Sequence, residues 1–444
     1  MDFLQLAEQL VTKCKTLGAQ SSEVYLEKNR NLSVNVLNSE IETIEEASSQ
    51  GAGFRVFVDS KMGFSHCNDF TGKALEDAIS RAIAFAKLST PDENNILASD
   101  PEITTIEDLY DGSYPGIQME KKIDMAINLE KLAMKDQRIT KSSGAGFGEG
   151  ESEIFIANSN GILKTCRTSA CSMGVSVVAE KGDQKNTGGE YCSRIFFSDL
   201  LPAEEIAEKA ARKAWELLDP VMIKTQRAAV IFDPYVARSL IGGIIAAVNG
   251  ERVLQGASFL KDHLEKKFAS QLLTITDDGT AKRSLGSIPF DGEGVPTGKN
   301  ILVENGILKK FIYNTYAAKR AGVRSTGNAT RGGFTSLPGI GTHRTYISAG
   351  NSTPEEIIKA TKKGLLLREV TGYGIDPVSG NFSGGASGFW IENGAIAYPV
   401  KGVTIAGKAL DILASIDMMG NDLDMNRSFA SPTFRVAEMQ IGGK

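Results

Sequence analysis

The first half of the chain alternates between the two spacings of hydrophobic residues that distinguish helices from strands. From Phe3 to Leu17, apolar residues recur at steps of three and four, which predicts a helix that ends at Gly18. Apolar and polar residues then alternate, and the segment 53–58 has the composition of a strand. Helical spacing returns over 73–88. This half is therefore expected to combine helices with strands.

These elements recur about 120 residues further along the chain. The matching segments are 37–39 and 157–159, 53–58 and 174–179, and 73–88 and 203–217. We interpret residues 1–220 as one domain that contains two copies of a strands-then-helix unit, with a largely antiparallel sheet. Because the identity between the copies is weak, two unrelated stretches of strands and helix are the alternative.

The second half of the chain is richer in turns. A buried strand is predicted at 228–232, and a helix with one apolar face follows it. Asn-Gly pairs at 305–306 and 393–394 predict two hairpins, whose turns need a positive φ at both central residues. The capping box at 353–356 predicts one more helix. Residues 221–444 are therefore predicted to form a mainly antiparallel β domain with a closed or half-closed sheet, in a chain of the α+β class.

Length, charge and cysteine content narrow the class of protein. The chain has 444 residues, more than one hydrophobic core usually organises, so two domains are expected. It has 49 basic and 54 acidic residues, a net charge of −5, and no long basic run, which disfavours nucleic acid and anionic membranes as partners. No apolar stretch is long enough to cross a membrane, and no signal peptide is visible. The five cysteines are a sparse set typical of the reducing cytoplasm, where we expect the protein to be located.

Few side chains in this sequence have the chemistry that a metal site needs. There are three histidines, His66, His263 and His343, and no two of them lie within one predicted helix. A zinc site needs several imidazole or thiolate ligands, so each histidine is expected to have a structural or surface role. His263 lies in a charge-dense segment that indicates a solvated helix face. Cys166 and Cys171 are five residues apart in a predicted strand, so they should point to opposite faces as small buried hydrophobes.

The densest run of glycine and serine is a candidate binding segment. It contains Asn381, Phe382, Ser383, Gly384 and Gly385. The local sequence places no histidine to activate a serine here, which disfavours a nucleophilic serine. Glycine permits another chain to approach the main chain closely, so we expect this segment to be a peptide groove or an interface.

Several longer motifs follow one another along the chain in a fixed order. They are Gly-Ala-Gly-Phe-Arg-Val-Phe-Val-Asp at 51–59, Asp-Gly-Glu-Gly-Val-Pro-Thr at 291–297, Leu-Val-Glu-Asn-Gly-Ile-Leu at 302–308, Ser-Thr-Gly-Asn at 325–328, and further segments at 352–358, 390–394, 399–402 and 420–423. In this order they resemble the TldD/PmbA family, which has also been called modulator of DNA gyrase. The resemblance covers nearly the whole chain.

The family that this chain resembles has two kinds of member. The TldD kind resembles a zinc metallopeptidase with a His-Glu-x-x-x-His helix and a third, cysteine ligand near the C-terminus, whereas the PmbA or TldE kind lacks these groups and pairs with the first. Alignment with that helix puts Gly242 and Ala247 at the two histidine positions and Gly243 at the glutamate position. No cysteine stands between 424 and 430, where the third ligand is expected. The resemblance therefore implies a PmbA/TldE-like chain without its own metal ligands, and it leaves open whether the chain has any catalytic activity.

Three functions are considered from the sequence. The preferred hypothesis is a subunit of a TldD/TldE-type metallopeptidase complex that degrades or matures peptides. In this hypothesis zinc is bound by the TldD-like partner, this chain holds no cofactor, and the isolated chain can form a homodimer. The alternative is a regulatory protein that binds DNA gyrase, as the older family name implies. A third hypothesis is a hydrolase that uses Asp291, Glu293 and His343, for which the sequence offers no spacing argument.

Overall fold

The computed structural model describes residues 2–100, 102, 104–372 and 374–444. Up to residue 220 the helices are α1 (Phe3–Thr16), α2 (Gly72–Leu88), α3 (Met119–Ala133) and α4 (Ala203–Trp215). The strands of this part are β1 (Ser21–Leu37), β2 (Glu40–Val58), β3 (Lys61–Cys67), β4 (Ile139–Asn158), β5 (Leu163–Lys181) and β6 (Gln184–Arg194). Within the described ranges, no helix combines the length and the apolarity needed to cross a bilayer.

The first part forms one six-stranded antiparallel sheet in the order β3-β2-β1-β4-β5-β6. Along the chain, a helix, a three-stranded meander and a second helix occur twice, as α1-β1-β2-β3-α2 and α3-β4-β5-β6-α4. The two meanders join through β1 and β4, the first strand of each copy. The α+β class is confirmed. Each copy of the repeat also begins with a helix, α1 or α3, which the predicted strands-then-helix unit did not include.

The two copies pack their second helix against the sheet in the same way. Gly63 in β3 and Gly188 in β6 pair with valines at matching positions of β2 and β5. A Cβ atom on Gly63 would lie 1.9 Å from the carbonyl oxygen of Ala82 in α2, and one on Gly188 would lie 2.2 Å from the amide nitrogen of Ala214 in α4. Since both helices touch the strand at backbone distance, only glycine fits at either position.

The second part contains shorter elements around a larger core. Its helices are α5 (Pro234–Ala247), α6 (Gly250–Leu254), α7 (Thr315–Ala321), α8 (Pro354–Lys359) and α9 (Ala409–Ala414). Its strands are β7 (Gln226–Phe232), β8 (Ile275–Asp278), β9 (Lys299–Glu304), β10 (Ile307–Leu308), β11 (Ala329–Thr330), β12 (Gly339–Ile340), β13 (Thr345–Ile347), β14 (Lys363–Thr371), β15 (Asn381–Glu392), β16 (Ala395–Lys408), β17 (Ile416–Met419), β18 (Phe429–Ala430) and β19 (Phe434–Gly442).

The main sheet of the second part is half closed. Its strand order is β16-β15-β14-β7-β19-β17, and β16 also pairs with β19 through residues 404–406 and 440–442. A smaller sheet has the order β10-β9-β8-β13-β18. Both Asn-Gly turns are present with positive φ, at Asn305 and Gly306 and at Asn393 and Gly394, as the sequence predicts. The predicted hairpins are confirmed, and the sheet, which was predicted to be closed or half-closed, has its two ends joined by the short pairing of β16 with β19.

A buried ion network joins the two parts of the chain. Arg55 of β2 binds Glu23 of β1 at 2.7 Å and Glu293 of the second part at 2.9 Å. Arg331 of the second part also binds Glu23. Glu23 and Glu293 are both 0% exposed, so these charges are paired with one another rather than with water. The division of the chain into domains at residue 220 stays a prediction.

Candidate functional site

Helix α5, the helix that the sequence aligns with a zinc-binding helix, starts directly after the buried strand β7. Asp233 caps it, because its side-chain Oδ1 accepts a hydrogen bond of 2.8 Å from the amide of Val236. Pro234 occupies the first turn, where its missing N–H is not needed. One face of the helix, including Leu240 and Ile244, is buried in the core of the second part. The position of α5 is thus set by a cap, a proline and an apolar face.

The three aligned positions on α5 have different surroundings. Gly242 is exposed, and a Cβ atom there would meet no atom within 4 Å. Gly243 is buried, and its Cβ would lie 2.5 Å from the Cβ and 2.8 Å from the carbonyl oxygen of Ile375. Ala247 is fully buried in the core.

The residues of α5 do not fit the zinc ion that the family resemblance implies for the TldD kind. Gly242, Gly243 and Ala247 have no side-chain donor, and the close contact with Ile375 leaves no room for a longer side chain at 243. In the part of the chain that the structure describes, His, Cys, Asp and Glu side chains form no group of three or more suited to a metal.

Beside the start of α5 lies a cavity of about 570 Å³, which we call the interdomain cleft. Its walls are β6, α4, the first turn of α5 and the segment 422–431. This segment includes 424–430, where the resemblance places the third metal ligand of the TldD kind. A second cavity of about 620 Å³ shares six lining residues with it, namely Glu190, Tyr191, Lys213, Asp233, Tyr235 and Arg427. The two cavities therefore adjoin each other and share one wall.

Ion pairs of the interdomain cleft hold the two parts of the chain against each other. Glu190 of β6 binds Lys213 of α4 at 2.7 Å and Arg427 at 3.4 Å. Burial opposes the charge of Glu190, but Lys213 and Arg427 outweigh it and lower its pKa. Arg427 also lies 3.3 Å from Asp424, whose pKa these contacts and the hydrogen bonds of Asn426 lower against its burial. The carboxylates here are charged and already paired.

Asp233 is the buried acid at the end of the cleft. Burial raises its pKa above the usual range, while the amide of Val236 and the guanidinium of Arg368 oppose that rise. Arg368 lies 3.2 Å from Asp233 and 3.4 Å from Glu216, the residue that follows α4. Through these two contacts Arg368 ties the start of α5 to the end of α4, so Asp233 has a structural role.

The predicted peptide segment lies in the first half of β15. Residues 381–385 pair with β16 over their whole length, and Gly385 also pairs with Thr371 of β14. On the same side Phe382 forms a bridge with Ile375. Asn381 and Ser383 have exposed side chains. Because the main chain here is already bonded to neighbouring strands, a peptide would contact the side chains of this segment. The role of 381–385 as a peptide groove or interface stays a prediction.

Asp291, Glu293 and His343, which the third hypothesis treats as catalytic groups, are bonded to other parts of the protein. The carboxyl group of Asp291 accepts hydrogen bonds from the amides of Glu293, Val295 and Ala329. Glu293 is bound in the ion network, and the His343 ring shares a 2.7 Å hydrogen bond with the carbonyl of Gly327. These groups stabilise loops at the junction of the two parts and do not form a nucleophile and base.

Two smaller sequence predictions have opposite outcomes. Cys166 and Cys171 are both buried and belong to different hydrophobic clusters, so the predicted opposite faces are confirmed.

The predicted helix around His263 is wrong, since 261–263 form a turn and an open segment. Charged side chains are solvated as well on a turn as on a helix, so charge density alone could not distinguish the two.

Sequence reasoning missed the interdomain cleft. Its lining residues include Tyr191, Arg194, Tyr235 and Arg238, which come from β6 and α5. No short motif contains them, because the two elements are about 40 residues apart and meet only in the folded chain. Helix α5 has a single basic residue, Arg238, so the local sequence gives no signal for a charged cleft.

Family comparisons identify the class of protein to which this fold and this helix belong. The chain matches PmbA/TldA metallopeptidase domain 1 over residues 22–86, the PmbA/TldA metallopeptidase central domain over 113–218, and the PmbA/TldA metallopeptidase C-terminal domain over 225–443. The chain belongs to the PmbA/TldD metallopeptidase family, and the resemblance inferred from its motifs is confirmed.

Individual relatives resemble the chain over its whole length. The metalloprotease PmbA homolog of Haemophilus influenzae is 31% identical over 99% of this chain and 96% of its own. A metalloprotease TldD homolog of Buchnera aphidicola is 27% identical over 100% of this chain and 96% of its own. The solved structure of a proposed modulator of DNA gyrase from Thermotoga maritima has a TM-score of 0.90 and 26% identity, covering 99% of this chain and 100% of that one. TldE from Thermococcus kodakarensis has a TM-score of 0.90 and 25% identity, covering 98% and 99%.

Proposed function

We propose that this chain is a PmbA/TldE-like subunit of a TldD/TldE-type metallopeptidase complex that acts on peptides. In this proposal zinc and the general base belong to a TldD-like partner, and this chain completes the chamber that holds the peptide. Relatives named PmbA and relatives named TldD both match this sequence over nearly its whole length. Zinc is therefore expected in the complex and not in the isolated chain.

The observation that carries this proposal is the chemistry of α5. The chain keeps the scaffold of the family, yet the side chains at Gly242, Gly243 and Ala247 have no donor atom to offer a metal. At Gly243 the neighbouring main chain of Ile375 lies where a glutamate side chain would begin. Because α5 offers neither a metal ligand nor a general base, the subunit is proposed to bind or position the peptide.

The test is to purify the chain alone and together with the TldD-like protein of the same cell. Zinc content and cleavage of an unfolded peptide are measured for each preparation. We expect both zinc and cleavage only when the partner is present, and co-elution of the two chains. Stoichiometric zinc together with cleavage by the isolated chain would contradict the proposal. The same preparation shows whether the isolated chain is a homodimer, which the sequence leaves open.

A second candidate function is regulation of DNA gyrase by direct binding. It is favoured by the description of the Thermotoga maritima relative as a proposed modulator of that enzyme. A pull-down with gyrase subunits, performed without any TldD-like protein, tests it. Retention of gyrase at equal stoichiometry would favour this function. For either function we expect a cytoplasmic location, which fractionation of the cell would check.

A further inference from the structure

The interdomain cleft is positively charged in a chain that is negatively charged as a whole. Six basic and four acidic side chains line its 570 Å³ cavity, an excess of two positive charges, whereas the net charge of the chain is −5. A concave wall with one excess sign of charge focuses its field on the cavity and attracts ligands of the opposite sign. An anionic ligand is therefore the expected occupant.

The four acidic side chains of the cleft are already satisfied by the protein itself. Their partners are Lys213 and Arg427 for Glu190, the amide and hydroxyl of Thr433 for Asp422, Asn426 and Arg427 for Asp424, and Val236 and Arg368 for Asp233. These groups consume much of the positive charge of Lys213 and Arg427. Lys209 and Arg212 are paired with Glu205 at 2.7 Å and with Glu216 at 3.8 Å, two carboxylates that do not line the cavity. The charge that the protein leaves available in the cleft therefore resides on Arg194 and Arg238.

Two arginines of the cleft have no such partner. Within the described ranges, neither Arg194 nor Arg238 has a carboxylate within 4.0 Å. Arg194 donates one hydrogen bond to the carbonyl of Ser193 at 2.8 Å, and Arg238 donates one to the carbonyl of Tyr235 at 3.3 Å. Asp424 lies near Arg194 but binds Arg427. Each guanidinium has five N–H donors, so most of the donors on both arginines are free.

Exposed aromatic rings stand beside these charges. Tyr191 is 48% exposed and Tyr235 is 56% exposed, both on the wall of the cleft. The guanidinium of Arg427 lies 5.2 Å from the ring of Tyr191, and that of Arg238 lies 4.3 Å from the ring of Tyr235. The cleft thus offers both apolar area and cationic donors, and its volume is within the usual range of about 300–1,000 Å³ for ligand pockets.

We propose that the interdomain cleft binds an acidic segment of a peptide, with carboxylates paired to Arg194 and Arg238 and apolar atoms lying on Tyr191 and Tyr235. Guanidinium groups match carboxylates in bidentate geometry, and such charge-assisted bonds are about twice as strong as neutral ones. This inference rests on the proposed peptide-handling function, and it adds the chemical class of the segment that the subunit selects.

The test measures binding of a labelled peptide to the full chain without any partner. The probe is a fluorescein-labelled octapeptide of glutamate, alanine and one tyrosine, and the reference is the same peptide with glutamine in place of glutamate. Fluorescence anisotropy gives the Kd of each peptide for the natural chain, for Arg194→Gln/Arg238→Gln, and for the control Arg81→Gln/Arg324→Gln. The control removes the same charge from two exposed arginines outside the cleft. Thermal unfolding verifies that each variant is folded.

We expect the acidic peptide to bind at least about tenfold more tightly than the glutamine peptide, because a guanidinium forms stronger hydrogen bonds with a carboxylate than with a neutral amide. We expect the cleft variant to lose that preference and the control variant to keep it. Equal Kd values for the two peptides, or an acidic-peptide Kd that the cleft variant does not change, would overturn the proposal. Displacement of the acidic peptide by ATP at lower concentration than by unlabelled acidic peptide would also overturn it, in favour of a nucleotide.

The outcome can be separated from that of the proposed function. If the chain co-elutes with a zinc-bearing, active partner but shows no preference for the acidic peptide, the cleft proposal fails and the subunit proposal stands. If the preference is present but no partner or cleavage is found, the assignment to a peptidase complex fails and the anionic cleft stands.

Discussion

The pKa of Asp291 shows how strongly the surroundings of a buried carboxyl group can change its protonation. The side chain is 2% exposed and lies close to the carboxylate of Glu293. Burial first, and then the charge of Glu293, raise its pKa from 3.8 to about 7, against three amide hydrogen bonds. The folded chain therefore retains a proton on this group at pH values where the unfolded chain has released it.

This raised pKa predicts the direction of a pH effect on stability. Between about pH 4 and pH 7 the folded state binds more protons at Asp291 than the unfolded state does, so its contribution to the free energy of unfolding falls as pH rises. The slope from one group is at most about 1.4 kcal/mol per pH unit. Burial opposes the charge of Glu23, but Arg55 and Arg331 outweigh it and lower its pKa, so its stabilising contribution is constant above about pH 5 and is lost only as pH falls below that.

Urea unfolding at about pH 5, 6, 7 and 8 measures this effect on the natural chain and on Asp291→Asn. We expect the free energy of unfolding of the natural chain to decrease towards pH 7 and then to level off. The variant should be less stable, since its amide faces backbone donors, but it should lack this decrease. A decrease of equal slope in both proteins would show that Asp291 is not its source.

The adjacent glycines of α5 provide a second prediction at the scale of single residues. Gly243→Ala places a Cβ 2.5 Å from Ile375, so we expect a loss of about 1–3 kcal/mol through overpacking. Gly242→Ala meets no atom within 4 Å and should gain about 0.5–1 kcal/mol from the higher helix propensity of alanine. Chemical denaturation measures both. Equal effects of the two variants would mean that α5 is not packed against Ile375 in solution.

At the scale of elements, the duplicated unit is defined by how a helix meets the third strand of each meander. Gly63 and Gly188 occupy matching positions, and each lies at backbone distance from an alanine-rich helix, α2 or α4. Large residues at these contacts would separate the helix from the sheet. The small residues on both sides of the contact therefore preserve the spacing in both copies.

Because the two contacts are equivalent, replacing either glycine should lower the free energy of unfolding by a similar amount. Gly63→Ala and Gly188→Ala should each destabilise the chain by at least about 1–3 kcal/mol, because the new methyl group overlaps backbone atoms that cannot rotate away. Gly72→Ala, at the exposed start of α2 with no atom within 4 Å, is the control and should be nearly neutral. Thermal unfolding of the three variants provides the comparison. A large effect in only one copy would contradict the shared packing.

At the scale of the whole molecule, the buried ion network decides how the two parts are joined. Glu293→Gln leaves the charge of Arg55 with one carboxylate partner in a dry environment. Breaking a buried pair in this way costs roughly 3–5 kcal/mol. Glu46→Gln is a matched control, because its pair with Arg30 is exposed and such pairs contribute at most about 1 kcal/mol.

Calorimetry distinguishes a local from a global effect of Glu293→Gln. We expect its main unfolding transition to shift to lower temperature far more than that of Glu46→Gln. Separation into two transitions would show that the network couples the unfolding of the two parts. A shift no larger than that of the control would mean that the network contributes little to the junction.

Much of the fold follows from local patterns. The spacing of apolar residues predicts α1, α2, α4, β7 and α5, because each of these elements buries one continuous face. Asn-Gly turns and the capping box are predicted correctly, since their geometry depends on two to four neighbouring residues. Helix α3 was not predicted, because its apolar stripe is weaker and its buried face includes Lys122 and Glu130.

The sequence by itself determined the family and the absence of metal-binding side chains at 242, 243 and 247, because both depend on residue identities at fixed positions. It indicated the internal duplication, which the matching order of helices and strands in the two copies then showed. Only the tertiary structure decided that Ile375 closes the space at Gly243 and that Asp291 is buried beside Glu293. It also brought Arg194 and Arg238 into one cleft. Contacts between segments far apart in the chain depend on how whole elements pack, and no local spacing of residues encodes that geometry.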